Sequence, residues 1–337
     1  MTLADRTAFM LLVLAGTLAA HAEEASAPQQ CWTERALAGT EVELKHQPGK
    51  RPLDLAALRQ VTVQPATPVA PELRGSIRSV ELHGGVKLIA LTFDLCEENG
   101  YVSGYDGRIV DLLRAQGIKA TFFAGGKWME THPERAQQLI ADPLFEVGSH
   151  GLRHLDLSHA NDATLGEEIT LTEAAYARAR TALASRQCLA GASPPAPPAR
   201  PTLLRFPYGR CNDKALAAAA GAGLLTVQWD LVTGDPDPLV SAKTIASRIL
   251  TKVHPGAIIV AHANGRGHNT SAALSIALPK LKEEGYSFVT VSELIDAGKP
   301  VIATSCYQEH PGDMTRIARS NVGHGSHDFF TIFSAPN

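Results

Sequence analysis

The stretch "VKLIALTFDLCEENG", residues 86–100, decides the architecture: an unbroken apolar run ends in a single acid, Asp94, and then turns polar. A strand that is apolar at nearly every position is buried on both faces, as in a parallel sheet covered by helices. The chain beyond it keeps that pattern. "GRIVDLLRAQGI" (107–118) has helical spacing, "KATFFAGG" (119–126) reads as a strand, and "PERAQQLIAD" (133–142) places Pro133 where it suits a helix's first turn. The alternation continues through "LFEVGS" (144–149), a long helix over 164–185, "TLLRFPY" (202–208), "NDKALAAAAGAG" (212–223), "LLTVQWDLVTG" (224–234), "SAKTIASRILTKV" (241–253), "GAIIVAHAN" (256–264), "SAALSIALPKLKEEG" (271–285) and "SFVTVSEL" (287–294). About seven strand–helix pairs predict an α/β fold with a parallel sheet, closed into a barrel or doubly wound.

The 337 residues, 45% of them hydrophobic, suffice for a large core. A net charge of only −3, with the charged residues scattered, excludes the basic stripe that a nucleic-acid partner requires. Residues 1–22 carry Arg6, an apolar run from Ala8 to Ala20, and small residues at Ala20 and Ala22, which together read as a secretory signal peptide. That run of about 13 residues is shorter than the roughly 20 needed to span a bilayer, so no stable membrane insertion is expected after cleavage. Export makes disulfides available to Cys31, Cys96, Cys188, Cys211 and Cys306, with one left over in a monomer. Residues 23–85, rich in Pro and Ala and without periodicity, read as a loosely structured N-terminal arm. The domain spans 86–297, interrupted by a proline-rich surface loop over 185–201, and 298–337 form a C-terminal tail.

In a parallel barrel the C-terminal ends of the strands share one rim, where the loops assemble a site. Asp94 ends the first strand, His150 and His154 follow the third, Arg205 and Tyr208 the fourth, Asp235 the fifth and His262 the sixth. The HxxxH spacing of "HGLRH" (150–154) puts both imidazoles on one face of a helical turn, positioned to share an ion. Gly151 stands where an HExxH protease carries its glutamate, so that motif's general base is missing. Cys96 and Cys211 follow two strand ends closely and are expected to pair across the rim, with Cys31, Cys188 and Cys306 as the other candidates.

"LTFDLCE", "GSHGLRH", "RFPYG" and "IVAH", in that order across 86–297, resemble the motif series of the polysaccharide deacetylases, the NodB-homology domain of carbohydrate esterase family 4. The resemblance implies a distorted (β/α)7 barrel and metal-dependent removal of acetyl groups from a glycan such as peptidoglycan, chitooligosaccharide or exopolysaccharide. It implies Asp94 as general base, His150 and His154 as metal ligands, Arg205 as the residue orienting the base, Tyr208 as an oxyanion-holding backbone, and His262 as general acid tuned by Asp235. A divalent ion, zinc above all, is the expected cofactor. The sequence departs from the family at Leu95, where a second aspartate usually ligates the metal, and around Val232 and Asp235–Pro236, where the fourth motif differs. Asp94, if bound to the ion, would be a poorer base, and the longer Glu97 is the expected third ligand. Two rival readings are a small-molecule amide or imide hydrolase on the same barrel and a non-catalytic carbohydrate-binding domain.

Overall fold

The computed structural model describes residues 27–189 and 197–313. Around its curled central sheet run ten strands: β1 (Ser76–Glu81), β2 (Leu88–Leu95), β3 (Ala120–Ala124), β4 (Phe145–Ser149), β5 (Leu203–Leu204), β6 (Leu225–Val227), β7 (Leu231–Val232), β8 (Ile258–His262), β9 (Ser287–Phe288) and β10 (Lys299–Ala303). They lie in the order β10-β1-β6-β5-β4-β3-β2-β8-β7, with β9 beside the start of β2, and every strand pair is parallel except β10 with β1. Eight helices alternate with them: α1 (Gly107–Ala115), α2 (Gly126–Thr131), α3 (Pro133–Ala141), α4 (Asp162–Ala184), α5 (Asp213–Gly221), α6 (Ala242–Lys252), α7 (Thr270–Glu283) and α8 (Val291–Asp296). Pro133 does stand in the first turn of α3, and Asn161 caps α4 by accepting the Thr164 N–H.

Of the two arrangements that the strand–helix alternation left open, this is the barrel, distorted as the family resemblance implied. Side-chain parity along β2 explains its unbroken apolar character. Ile89, Leu91, Phe93 and Leu95 pack outward with the helix layer, while Ala90 faces inward among Phe123, Ile258 and Val260. Asp94, of the same parity as Ala90, therefore belongs to the interior face. The seam between β6 and β8 is closed twice: three residues beyond β6 the chain re-forms as β7 against β8, and β1 pairs with β6 while Val80 donates its N–H to Gly256 O at 2.9 Å. Gly256, at φ +86, must be glycine, because a Cβ there would lie 1.7 Å from Val80 O.

Two expectations change at the ends of the domain. The arm is not loose: β1 closes the barrel, Trp32, Leu37 and Leu58 are buried in the main core, and Arg135 donates to the carbonyls of Ala36, Leu37 and Ala38 and to Glu43. The first part of the tail is likewise integrated, since β10 extends the sheet beside β1. The expected signal peptide (1–22), the middle of the proline-rich loop and the chain beyond 313 lie outside the described residues.

Disulfides join Cys31 to Cys188 and Cys211 to Cys306, and Cys96 is a buried free thiol. The expected Cys96–Cys211 pair is thus corrected: Cys211 pairs instead with Cys306, which follows the end of β10. Replacing Cys211 and Cys306 together by serine should lower stability by about 2–4 kcal/mol, because the crosslink spans a long loop of otherwise unrestrained unfolded chain. Denaturant unfolding of the oxidised protein checks this, and an unchanged midpoint would show the bridge to be dispensable.

Candidate active site

Asp94 and His262 are register partners on β2 and β8, so the strand pairing itself sets them side by side at the C-terminal rim. The Asp94 carboxylate accepts a 2.9 Å bond from Arg205 Nη1, and its other oxygen lies 3.6 Å from His150 Nε2. Arg205 is fully buried, with Nε and Nη2 donating to the carbonyls of Val227 and Gln228 and its guanidinium stacked over Phe123 at 4.1 Å. A planar cation fixed by two carbonyls and an aromatic face holds one carboxylate rotamer. Burial pushes the Asp94 carboxyl up, but its basic neighbours His150, Arg205 and His262 outweigh it and leave its pKa below the usual carboxylate value.

His150 and His154 are brought together, though not on a helix. Gly151 at φ +70 and His154 at φ +56 break the helical path, so the pair sits on an irregular turn after β4. The spacing suggested a helical turn; the left-handed residues replace it and still leave the ring centroids 5.1 Å apart. His154 packs against Tyr208, at 4.4 Å between centroids, and Tyr208 is itself left-handed at φ +59. Left-handed backbone at non-glycine residues costs about 1–3 kcal/mol and marks places where the surroundings over-determine the conformation. His150 Nδ1 is 2.9 Å from Arg205 O, a geometry that assigns it the proton and leaves Nε2 with its lone pair. Burial lowers the pKa of both rings, His154's well below its ordinary value, so both are neutral donors at physiological pH.

The third part is a dyad. His262 Nδ1 lies 3.0 Å from Asp235 Oδ1, and Asp235 Oδ2 accepts the His262 backbone N–H at 2.8 Å and the Thr270 hydroxyl at 2.7 Å. Thr233 Oγ1 donates to Oδ1 at 3.0 Å. Asp235 is wholly buried, whereas the His262 side chain keeps 19% of its surface open. The ring is thus oriented from within and presents its outer nitrogen to the mouth of the barrel.

Similarity to known proteins has the same focus. A profile described as polysaccharide deacetylase matches residues 82–227. The peptidoglycan-N-acetylglucosamine deacetylase of Bacillus cereus is 30% identical over 218 residues, covering 64% of this chain and 91% of that protein. The chain belongs to the polysaccharide deacetylase family. The chitooligosaccharide deacetylase of Bradyrhizobium sp. (strain ANU 289) is 28% identical, over 62% of this chain and 91% of that one. Among solved structures, the Bc1960 peptidoglycan N-acetylglucosamine deacetylase superposes with a TM-score of 0.54 at 26% identity, covering 66% of this chain and 93% of that one. BA3943 of Bacillus anthracis, a CE4 family pseudoenzyme, does so with 0.54 at 25%, covering 66% and 70%.

The departure of this polysaccharide deacetylase at Leu95 has a structural answer. Leu95 is fully buried in the outer core, so it takes no part in the site. Glu97, the expected third ligand, shares Leu95's outward parity. Its carboxylate is held by Arg51, by Lys127 Nζ at 3.5 Å and by the Ser103 N–H at 3.3 Å, away from the histidines. Cys96 points inward instead, and Cys96, His150 and His154 offer donor atoms all within 4.8 Å of one another. Burial pushes its thiol up to about 12. Neither Cys96 nor Asn264, whose amide Nδ2 lies 3.2 Å from the Cys96 sulfur, was singled out as a site residue from sequence, although strand parity counted onward from Asp94 points to Cys96.

Donor chemistry fits a metal here: His150 Nε2 has its lone pair, and His154 Nδ1 is buried with no hydrogen-bond partner.

Proposed function

We propose that this is an exported, metal-dependent deacetylase that hydrolyses N-acetyl groups on a glycan, with peptidoglycan and chitooligosaccharides the foremost candidates. The observation that carries the reading is the convergence, at the C-terminal ends of β2, β4, β5 and β8, of a carboxylate clamped by Arg205, two neutral histidines, and the His262–Asp235 dyad. The relatives named above support the substrate class, and the two disulfides together with the signal-like residues 1–22 support export.

His150 and His154 would hold the ion. Bound there, it would polarise the acetyl carbonyl and make the attacking water more acidic. Asp94, kept ionised by its neighbours and oriented by Arg205, accepts the water's proton. Tyr208, strained at the rim beside His154, contributes backbone toward the developing oxyanion. His262 protonates the departing amine, with Asp235 fixing its ring.

The second reading, a non-catalytic glycan-binding domain, is favoured by Leu95 and by the likeness to a pseudoenzyme. Acetate release decides between them. With N-acetylated chitooligosaccharides or peptidoglycan as substrate, the protein should release acetate, lose this activity on chelation and regain it with Zn²⁺. Absence of release from both glycans by metal-loaded protein would leave the binding reading standing.

A further inference from the structure

We propose, resting on the reading above, that the Cys96 thiolate is the third protein ligand of the metal and makes the centre selective for thiophilic ions. Several independent observations meet at this atom. β2 parity sends Asp94 and Cys96 to the interior while Leu95 and Glu97 go to the helix side, so the residue facing the histidines at the end of the strand is Cys96. Cys96 is 1% exposed and unpaired, although the other four cysteines form two disulfides. Its sulfur shares a 4.8 Å cluster with one nitrogen from each imidazole, and the buried His154 Nδ1 lacks any hydrogen-bond partner.

Burial disfavours a free thiolate, but one buried donor faces the sulfur. Asn264, fully buried, donates Nδ2 to the Cys96 carbonyl at 2.8 Å and to Sγ at 3.2 Å, and its own backbone carbonyl accepts the Gly104 N–H. An amide N–H directed at a ligating atom fixes the ligand's orientation and disperses its charge, which is the ordinary task of groups one step behind a metal ligand. When the ion binds, the S–H bond breaks, its proton passes to solvent, and the sulfur electron pair forms the bond to the metal. No electron is transferred. Two imidazoles and one thiolate leave a fourth position for water or substrate, the open arrangement of catalytic zinc sites. Carboxylate ligands suit Mg²⁺ and Mn²⁺, whereas thiolate suits softer ions, so exchange of an oxygen ligand for sulfur predicts preference for Zn²⁺, Co²⁺ and Cd²⁺ over Mn²⁺.

Titration of the metal-free full chain with Co²⁺ tests this apart from catalysis. One equivalent should give visible d–d bands together with a near-ultraviolet sulfur-to-cobalt charge-transfer band. In Cys96→Ser the charge-transfer band should vanish. In Asn264→Ala, which keeps all three ligands, the band should remain while affinity falls about 10- to 100-fold. If Cys96→Ser does not fold, the wild-type band and the Asn264→Ala titration still decide. Stoichiometric cobalt without a charge-transfer band in the wild type, alongside chelator-sensitive acetate release, overturns the thiolate ligand and leaves the deacetylase standing. A band that survives in Cys96→Ser also overturns it. Failure of the wild type to bind any cobalt or zinc overturns both readings.

Discussion

Metal-free protein and acetate release no greater than that of the chelated wild type are the expected results for His150→Ala and for His154→Ala. Each change removes one of two nitrogen donors from a group that holds only three donors within 4.8 Å, and two ligands do not fix a catalytic ion. The two variants should differ in stability. His150 Nδ1 is bonded to Arg205 O, so truncation leaves a buried carbonyl without its donor, at a cost of about 1–3 kcal/mol. His154 Nδ1 has no such partner, and its alanine variant strands nothing. It removes the ring contacts with His150 and Tyr208. His154→Ala is therefore the cleaner experiment: elemental analysis should read far below one equivalent of zinc per chain, because the two donors left do not fix a catalytic ion. Full occupancy in both variants would make them ordinary buried histidines.

The same residues show how far a linear sequence discloses such a site. Asp94, Arg205 and His262 could be read because parallel strands bring their C-terminal ends to one rim; Asp94 and His262 each end a recognisable apolar run, and Arg205 follows the short strand Leu203–Leu204. The histidine pair was legible in position but not in conformation, since HxxxH spacing fits a helical turn and only the backbone reveals Gly151 and His154 as left-handed. Glu97, the expected third donor, is held away from the histidines for a specific reason. Glu97 has a ligand's chemistry, but one step in a strand reverses the face, and the carboxylate that looked long enough to reach the ion is satisfied by Arg51 and Lys127 on the other side. The arm was opaque for a different reason. Its anchors are Trp32, a disulfide and three carbonyls clamped by Arg135, none of which leaves a periodic trace, and β1 gains its place through pairing with strands some 150 residues later. Disulfide connectivity is likewise a property of three-dimensional proximity: Cys211 finds Cys306 because β10 returns beside β1.

His262→Ala should lower the rate of acetate release about 10²- to 10⁴-fold while leaving the metal content of the protein intact, the range that a positioned general acid supplies. Stability should change little. The ring is partly open to solvent, and Asp235, which would lose one partner, keeps the Thr233 and Thr270 hydroxyls and the backbone N–H of residue 262. A loss of turnover in this variant therefore cannot be ascribed to a stranded carboxylate or to a collapsed barrel. The leaving group provides the sharper readout. Proton delivery matters when the group that departs is a poor one, so the variant should lose far less activity on an activated aryl acetate than on an N-acetyl sugar, because a phenolate leaves without needing the imidazole's proton. Asp235→Asn should lie between the two proteins, since the ring stays in place but its orienting carboxylate has gone. Equal losses on both substrates would assign His262 to binding rather than to proton transfer, and near-normal turnover of the N-acetyl sugar would remove it from the reaction altogether.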